Sequence, residues 1–252
     1  MKLKNKNAIV TGGSRGIGLE IAYKLASEGS NVAILDIIDK DIDFSSSLKK
    51  GSGEIKLFKC DISNKEEVVS FFDESKKEYG SFNFLINNAR YKSKFGLKEP
   101  VEEWEKSLSV GLSAPFYLSQ ELIERSEDGG SIVNLCSVAS KLVTKESPSY
   151  HAAKGGLLAL NRYLAIKGGK KNIRVNAILP GLIIQDDHAE RFKSKTNLAY
   201  REMSEKYQPM GQVGTQKDIS ELVLFLCSDE SKYLSGAEIN LEENETGISP
   251  GQ

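Results

Sequence analysis

Residues 11–18 read Thr11-Gly12-Gly13-Ser14-Arg15-Gly16-Ile17-Gly18, placed between the apolar run AIVT at 8–11 and LEIAYKLASEG at 19–29, which has helical spacing. A strand that turns through glycines into a helix brings unpaired backbone N–H groups and the positive end of a helix dipole to one point, which attracts an anion such as a pyrophosphate. Gly12, Gly16 and Gly18 allow the tight turn and the close approach, and Ser14, Arg15 and Ile17 complete the loop. By itself a glycine-rich turn is weak evidence, because ordinary strand-to-helix loops also use glycine. The context strengthens it: the next apolar run, NVAILD at 31–36, ends on Asp36, close to the spacing of a carboxylate that accepts from an adenosine ribose.

Outward from this loop, short apolar runs continue with IKLFKC at 55–60, FLIN at 84–87, SIVNLCS at 131–137 and RVNAILP at 174–180. Longer stretches of helical spacing separate them: 65–80, Trp104 to Glu124, 150–167 and 218–230. The alternation predicts an α/β fold of the three-layer Rossmann type, a parallel sheet with helices on both faces. With 252 residues, 39% of them apolar, one domain over 1–252 is the expectation. The polar segment from about 184 to 215 follows the Pro180-Gly181 break and reads as a substrate flap carrying a helix or two. The tail Glu242 to Gln252 reads as partly disordered.

Lys+Arg 34 against Asp+Glu 35 gives a net charge of −1, which offers no footprint for nucleic acid and no polybasic membrane contact. A small-molecule substrate fits this balance. Cys60, Cys136 and Cys227 are an odd set in apolar runs, which argues for a reducing, cytoplasmic setting rather than a disulfide framework. The start MKLKNKNAIVTGG is too poor in apolar residues for an export signal, and no later stretch is long enough to span a bilayer. His151 and His188 are the only histidines and neither has a ligand-spaced cluster, so no metal site is expected. His151 reads as a neighbour of the helix that carries the chemistry, and His188 as a loop residue.

Tyr150 and Lys154 stand at i and i+4 in YHAAK, on one face of a helix. A phenol serves as a base near neutrality only with help, and an ammonium about 4 Å away supplies about 4 kcal/mol at an effective dielectric near 20. Ser137 closes the SIVNLCS run, where a hydroxyl can hydrogen-bond a reacting oxygen at the carboxyl edge of a parallel sheet. Tyr and Lys at this spacing are common on exposed helices; beside the nucleotide loop they become a catalytic set.

From about Lys6 to Leu241 the chain resembles the short-chain dehydrogenase/reductase family in its single-domain form, with TGxxxGxG at 11–18, Asp61-Ile62 after the third strand, Asn87-Asn88-Ala89, the Ser137, Tyr150, Lys154 set and Pro180-Gly181. The resemblance implies a seven-stranded parallel sheet with three helices on each face and a homo-oligomer, dimer or tetramer. It implies that Asp61 and Ile62 contact adenine, that Asn88 and Ala89 line the ribose, that Lys154 also holds the nicotinamide ribose, and that Ile183 touches the carboxamide. Asp36 favours NAD over NADP, since a 2′-phosphate about 4 Å away would meet roughly 4 kcal/mol of repulsion per unit charge. Arg15 pulls the other way, and the carboxylate is taken to prevail.

The chain departs from the family pattern at four places. Gly111 replaces the asparagine that holds a relay water, a task Ser113 or a second water could take. Arg90 replaces the glycine after NNA and opens the basic run RYKSK. Gln185 replaces a threonine, and Glu242-Glu243-Asn244 replaces DGG, which puts the family's C-terminal subunit contact in doubt. Two classes stay open: a working oxidoreductase that moves hydride between a nicotinamide cofactor and an alcohol/carbonyl pair, and a cofactor-binding protein with little turnover. Retention of Ser137, Tyr150 and Lys154 favours the enzyme. A 3-oxoacyl-thioester reductase is an alternative, disfavoured because acidic Glu127-Asp128 stands where acyl-carrier-protein reductases carry basic residues. Arg90, Lys92, Lys94 and Lys141, with Arg191, Lys193 and Lys195, suggest a polar, even anionic substrate such as a sugar, polyol or hydroxy acid; an equal reading makes them solvated surface groups.

Overall fold

In the computed structural model, residues 1–39, 42–184, 198, 202, 206, 208 and 210–241 are described. The chain runs β1 (Asn7–Thr11), α1 (Gly16–Ser27), β2 (Asn31–Asp36), β3 (Ile55–Lys59), α2 (Lys65–Tyr79), β4 (Phe84–Asn87), α3 (Val101–Leu108), α4 (Ala114–Arg125), β5 (Gly130–Leu135), α5 (Pro148–Gly169), β6 (Ile173–Pro180), β7 (Ile183–Ile184), β8 (Gly214–Thr215), α6 (Gln216–Cys227) and β9 (Glu238–Leu241). Seven strands form one parallel sheet in the order β3-β2-β1-β4-β5-β6-β9. This is the Rossmann sheet expected from the sequence. The direction of winding reverses between β1 and β4, which opens a crevice at the carboxyl ends of those two strands.

The strands read as continuous apolar runs because both faces are covered. On one face α1 and α6 pack over Val10, Val32, Ile34, Ile86 and Val133; on the other α2, α4 and α5 pack over Ile9, Ala33, Leu35, Leu85 and Ile132. Three helices on each face were implied; the third on the α1 side is not formed among the described residues. The β2–β3 connection there makes only a 3-10 turn at Ser45–Ser47, and Phe44, 5% exposed, covers the sheet beside it. The polar stretch that read as a flap is tied at its base, because β7 pairs with β8 through Ile183↔Gly214 and Ile184↔Thr215. Most of that segment and the tail from 242 lie outside the described residues.

Local chemistry sets the helix ends. Asn64 caps α2 by accepting from the N–H groups of Glu66 and Glu67, and Gly80 closes it at φ +68. Thr215 and Asp218 form a reciprocal capping box on α6. Before α4 the chain makes one π-helical turn, Ser109–Ser113, with Gly111 at its centre. Cys60, Cys136 and Cys227 are free and buried. No helix among the described residues is long and apolar enough to cross a membrane.

A polar ladder crosses the apolar interior. Asn87 Nδ2 donates to Asn134 Oδ1 at 2.8 Å, Asn134 Nδ2 to Asn161 Oδ1 at 3.0 Å, and Asn161 Nδ2 to the Ala237 carbonyl at 3.4 Å. It joins β4 and β5 to α5 and to the chain entering β9. Asn134→Leu strands one donor and one acceptor in a dry core and is expected to cost about 2–4 kcal/mol. Urea unfolding reads the loss, and a cost below about 1 kcal/mol would show that the ladder is not a structural tie.

Candidate active site

The glycine loop and the turn after β4 form one unit. Thr11 Oγ1 donates to the Ile86 carbonyl at 3.3 Å and accepts from the N–H groups of Asn88 and Ala89, each at 3.0 Å. Asn88 Nδ2 returns two bonds, to the carbonyls of Thr11 at 2.8 Å and Gly12 at 3.1 Å. The Asn88 Nδ2 group is thus engaged in bracing the loop. Between these parts there is no space for side chains: a Cβ on Gly18 would lie 2.5 Å from the Gly12 oxygen and 2.6 Å from Asn88 Nδ2. Gly12 at φ +62 and Gly16 at φ +60 adopt the left-handed backbone that the turn requires.

At the head of α1, Arg15 is the N-cap in extended conformation, its exposed side chain making no cap hydrogen bond. Asp36 at the end of β2 accepts on Oδ2 from the Ser14 N–H at 3.2 Å and the Ser14 hydroxyl at 2.6 Å. Its Oδ1 has no partner among the described residues. A cradle closed to side chains, a helix N-terminus whose N-cap side chain makes no cap hydrogen bond and a carboxylate fixed on one oxygen fit a nicotinamide dinucleotide.

The remaining expected cofactor residues are distributed along the same edge. Asp61 is exposed and holds its own turn, accepting from the Ser63 N–H at 3.0 Å and hydroxyl at 2.6 Å. Ile62 is 6% exposed, its side chain packed into the core beneath. Ala89 stands against Gly12. Pro180 ends β6, Gly181 N–H donates to the Leu241 carbonyl at 3.0 Å, and Ile183 lies half-buried in β7.

Strand β5 stops at Leu135, two residues short of the expectation, and Ser137 instead caps a 3-10 turn, Val138–Ser140, its Oγ accepting from the Ala139 N–H at 3.1 Å. The hydroxyl proton stays available to a reacting oxygen. That turn packs on α5, whose first two turns carry Tyr150, 9% exposed, and Lys154, 3% exposed. Lys154 Nζ donates to the Leu135 carbonyl at 2.6 Å and lies 5.8 Å from the centre of the Tyr150 ring. A nearly buried ammonium with two donors uncommitted is costly unless polar groups meet it. Ribose hydroxyls and an ionised phenol are groups of the right kind.

The start of α5 is held from three sides. Ser147 accepts from the Tyr150 N–H at 3.2 Å. His151 accepts on Nε2 from the Thr144 N–H at 3.0 Å, and its Nδ1 meets the Ser147 carbonyl at 2.9 Å, so it secures the loop before the helix. Glu99, which the sequence reading missed, accepts from the Ser149 N–H at 3.0 Å and hydroxyl at 2.7 Å. Burial pushes this carboxyl up, but hydrogen bonds from Ser93, Ser149 and Ser147 outweigh it and hold it below its ordinary value. Only the fold brings residue 99 to residue 149, and no local spacing announces it.

Gly111 and Gly156 mark a close crossing of the π turn and α5. A Cβ on Gly111 would meet Ala153 Cβ at 2.9 Å, and one on Gly156 would meet Leu112 Cδ2 at 2.8 Å. Gly111 is thus a packing residue. Arg90 turns toward Tyr150, its guanidinium carbon 5.8 Å from the ring centre and Nη1 3.8 Å from Glu146 Oε1. Lys141, one of the residues suggesting an anionic substrate, is instead paired with Glu238 at 3.2 Å, a carboxylate that also meets Arg162. Lys92 and Lys94 are exposed; Gln185, His188, Arg191, Lys193 and Lys195 lie outside the described residues.

Four similarities accompany this geometry. The family model described as enoyl-(acyl carrier protein) reductase matches residues 12–243. The chain is 33% identical to the Bacillus subtilis protein named uncharacterized oxidoreductase YxbG, over 96% of this chain and 91% of that one. It is 32% identical to a 3-oxoacyl-[acyl-carrier-protein] reductase of Chlamydia muridarum, over 95% and 97%. Among solved structures, an NAD+-bound xylitol dehydrogenase superposes with a TM-score of 0.85 at 27% identity, covering 96% of this chain and 99% of that one.

Two outcomes follow from the packing. Gly111→Asn forces the crossing apart and is expected to cost about 1–3 kcal/mol in thermal or urea unfolding; a variant as stable as wild type and faster at any pH would make the missing relay amide, not packing, the point of this glycine. Glu99→Gln weakens the clamp on α5. Because the folded carboxyl titrates below its unfolded value, the stabilisation lost is present above the ordinary glutamate range and fades as pH falls through the lowered value. Wild type and variant should therefore converge in stability in acid, and a gap unchanged at low pH would dissociate the clamp from the charge.

Proposed function

The chain belongs to the short-chain dehydrogenase/reductase family, and from that premise we propose that it is an NAD-dependent alcohol dehydrogenase or carbonyl reductase acting on a small polar substrate of the sugar, polyol or hydroxy-acid kind. The observation that carries the reading is the placing of Ser137, Tyr150 and Lys154 on one turn and one helix at the carboxyl edge of the sheet that also carries the phosphate cradle. When bound, NAD supplies the hydride acceptor for alcohol oxidation, or in reduced form the donor.

The protein's own residues handle the oxygen and its proton. The Ser137 hydroxyl donates to the reacting oxygen and fixes its direction. The phenolic oxygen of Tyr150 takes the alcohol proton in oxidation and returns it to the carbonyl oxygen in reduction. Lys154, held by the Leu135 carbonyl, keeps positive charge beside that oxygen and offers its free donors to ribose hydroxyls. The low exposure of both side chains strengthens every one of these interactions.

Support for NAD over NADP comes from Asp36: Ser14 fixes Oδ2 and leaves Oδ1 for a ribose diol, while a phosphate in its place would face like charge. The polyol part of the reading draws on the xylitol dehydrogenase likeness and on the polar, basic loop at 90–94.

Asp36→Ala should shift the ratio of NADP to NAD dissociation constants toward unity by roughly 10- to 100-fold, measured by nucleotide fluorescence titration; equal constants in wild type would contradict the NAD preference. With a panel of sugars, polyols and hydroxy acids followed by nicotinamide absorbance, Tyr150→Phe should lower turnover by about 10²- to 10⁴-fold while leaving NAD binding nearly intact. Near wild-type turnover in that variant would remove tyrosine from the acid/base role.

A further inference from the structure

Arg90 stands where a side chain is out of keeping with the family pattern and turns toward the reacting centre rather than away from it. Its guanidinium lies within cation–π distance of the Tyr150 ring, 5.8 Å from ring centre to guanidinium carbon, on a side chain 37% exposed. The acid paired with it leaves its donors available. Glu146 approaches only to 3.8 Å, beyond hydrogen-bond range, so it balances charge without occupying the N–H fork. Lys92 and Lys94, exposed in the same loop, add positive charge and no acceptor.

We propose that Arg90 is a substrate-binding residue that grips a carboxylate beside the reacting carbon, so that the enzyme acts on an oxo acid/hydroxy acid pair rather than on a neutral sugar or polyol. A guanidinium presents paired N–H groups in a plane that matches the two oxygens of a carboxylate, and a lysine or a neutral donor does not. Because the same guanidinium rests against Tyr150, a carboxylate held by it brings a carbonyl a bond or two away to the phenolic oxygen. Arg90 then supplies orientation, and Ser137 and Tyr150 keep the chemistry. Glu146 releases the arginine at little cost, being only loosely engaged with it. This inference rests on the oxidoreductase reading above and narrows its substrate class.

The experiment compares pyruvate, acetoacetate and levulinate with their methyl esters, in wild type, Arg90→Gln and Arg90→Lys. NADH consumption is followed, and calorimetry measures binding to the enzyme–NADH complex. The expected result is that at least one acid exceeds its ester by about 10- to 100-fold in kcat/KM or affinity. That advantage should be lost in Arg90→Gln and partly retained in Arg90→Lys, with cofactor affinity unchanged in both. If an acid binds in an Arg90-dependent way with no hydride transfer, the carboxylate grip stands and the oxidoreductase reading falls. If esters equal acids, if neither binds, or if the Arg90→Gln loss is the same for acid and ester, the carboxylate grip is overturned. The last of these would instead place Arg90's action on Tyr150.

Discussion

The cleft depends on a place where the chain has no side chains to put. The loop between β1 and α1 meets the turn after β4 so closely that a single Cβ at Gly18 would collide with the Gly12 carbonyl and the Asn88 amide. That contact is secured by one hydroxyl, Thr11 Oγ1, using its proton and accepting two N–H groups. Bare backbone therefore lines the crevice beside the head of α1. The sheet order, which reverses at β1 and β4, sets where the crevice lies.

From that fixed edge the chemistry is assembled by restraint on α5. Its N-terminal turn is capped by Ser147, clamped by Glu99 and tied to the preceding loop by His151, while Gly111 lets the neighbouring π turn press against it. The asparagine ladder anchors the same helix one layer deeper through Asn161. A tyrosine and a lysine one turn apart are common on helices; here few directions are left for them to move. Restraint of this kind is what pre-organises a proton-transfer site.

The elements that local chemistry determines were legible in the residues alone. NVAILD and FLIN are strands at their expected bounds, and the YHAAK pair lies on α5. What the sequence did not disclose depends on long-range contact. Glu99 reaches Ser149 across fifty positions, Ser14 turns back to Asp36, and Lys141 is taken up by Glu238 on the last strand. Nothing in the run SVGLS announced the π turn, which sits at the close crossing marked by Gly111 and Gly156. The 37–54 connection, read without a helix of its own, proved to leave one expected helix unformed among the described residues.

The burial of the three cysteines has a practical side. Burial pushes the Cys60 and Cys227 thiols up to about 12 and Cys136 to about 11, so near neutrality almost none is thiolate, the form that reacts. Buried and pushed up in this way, the three thiols are poor targets for maleimide and iodoacetamide while the chain is folded. A cysteine introduced at an exposed position on the rim of the cleft would then be the only responsive thiol. Fluorophores or spin labels could report nucleotide arrival in solution without first stripping the core of its sulfur.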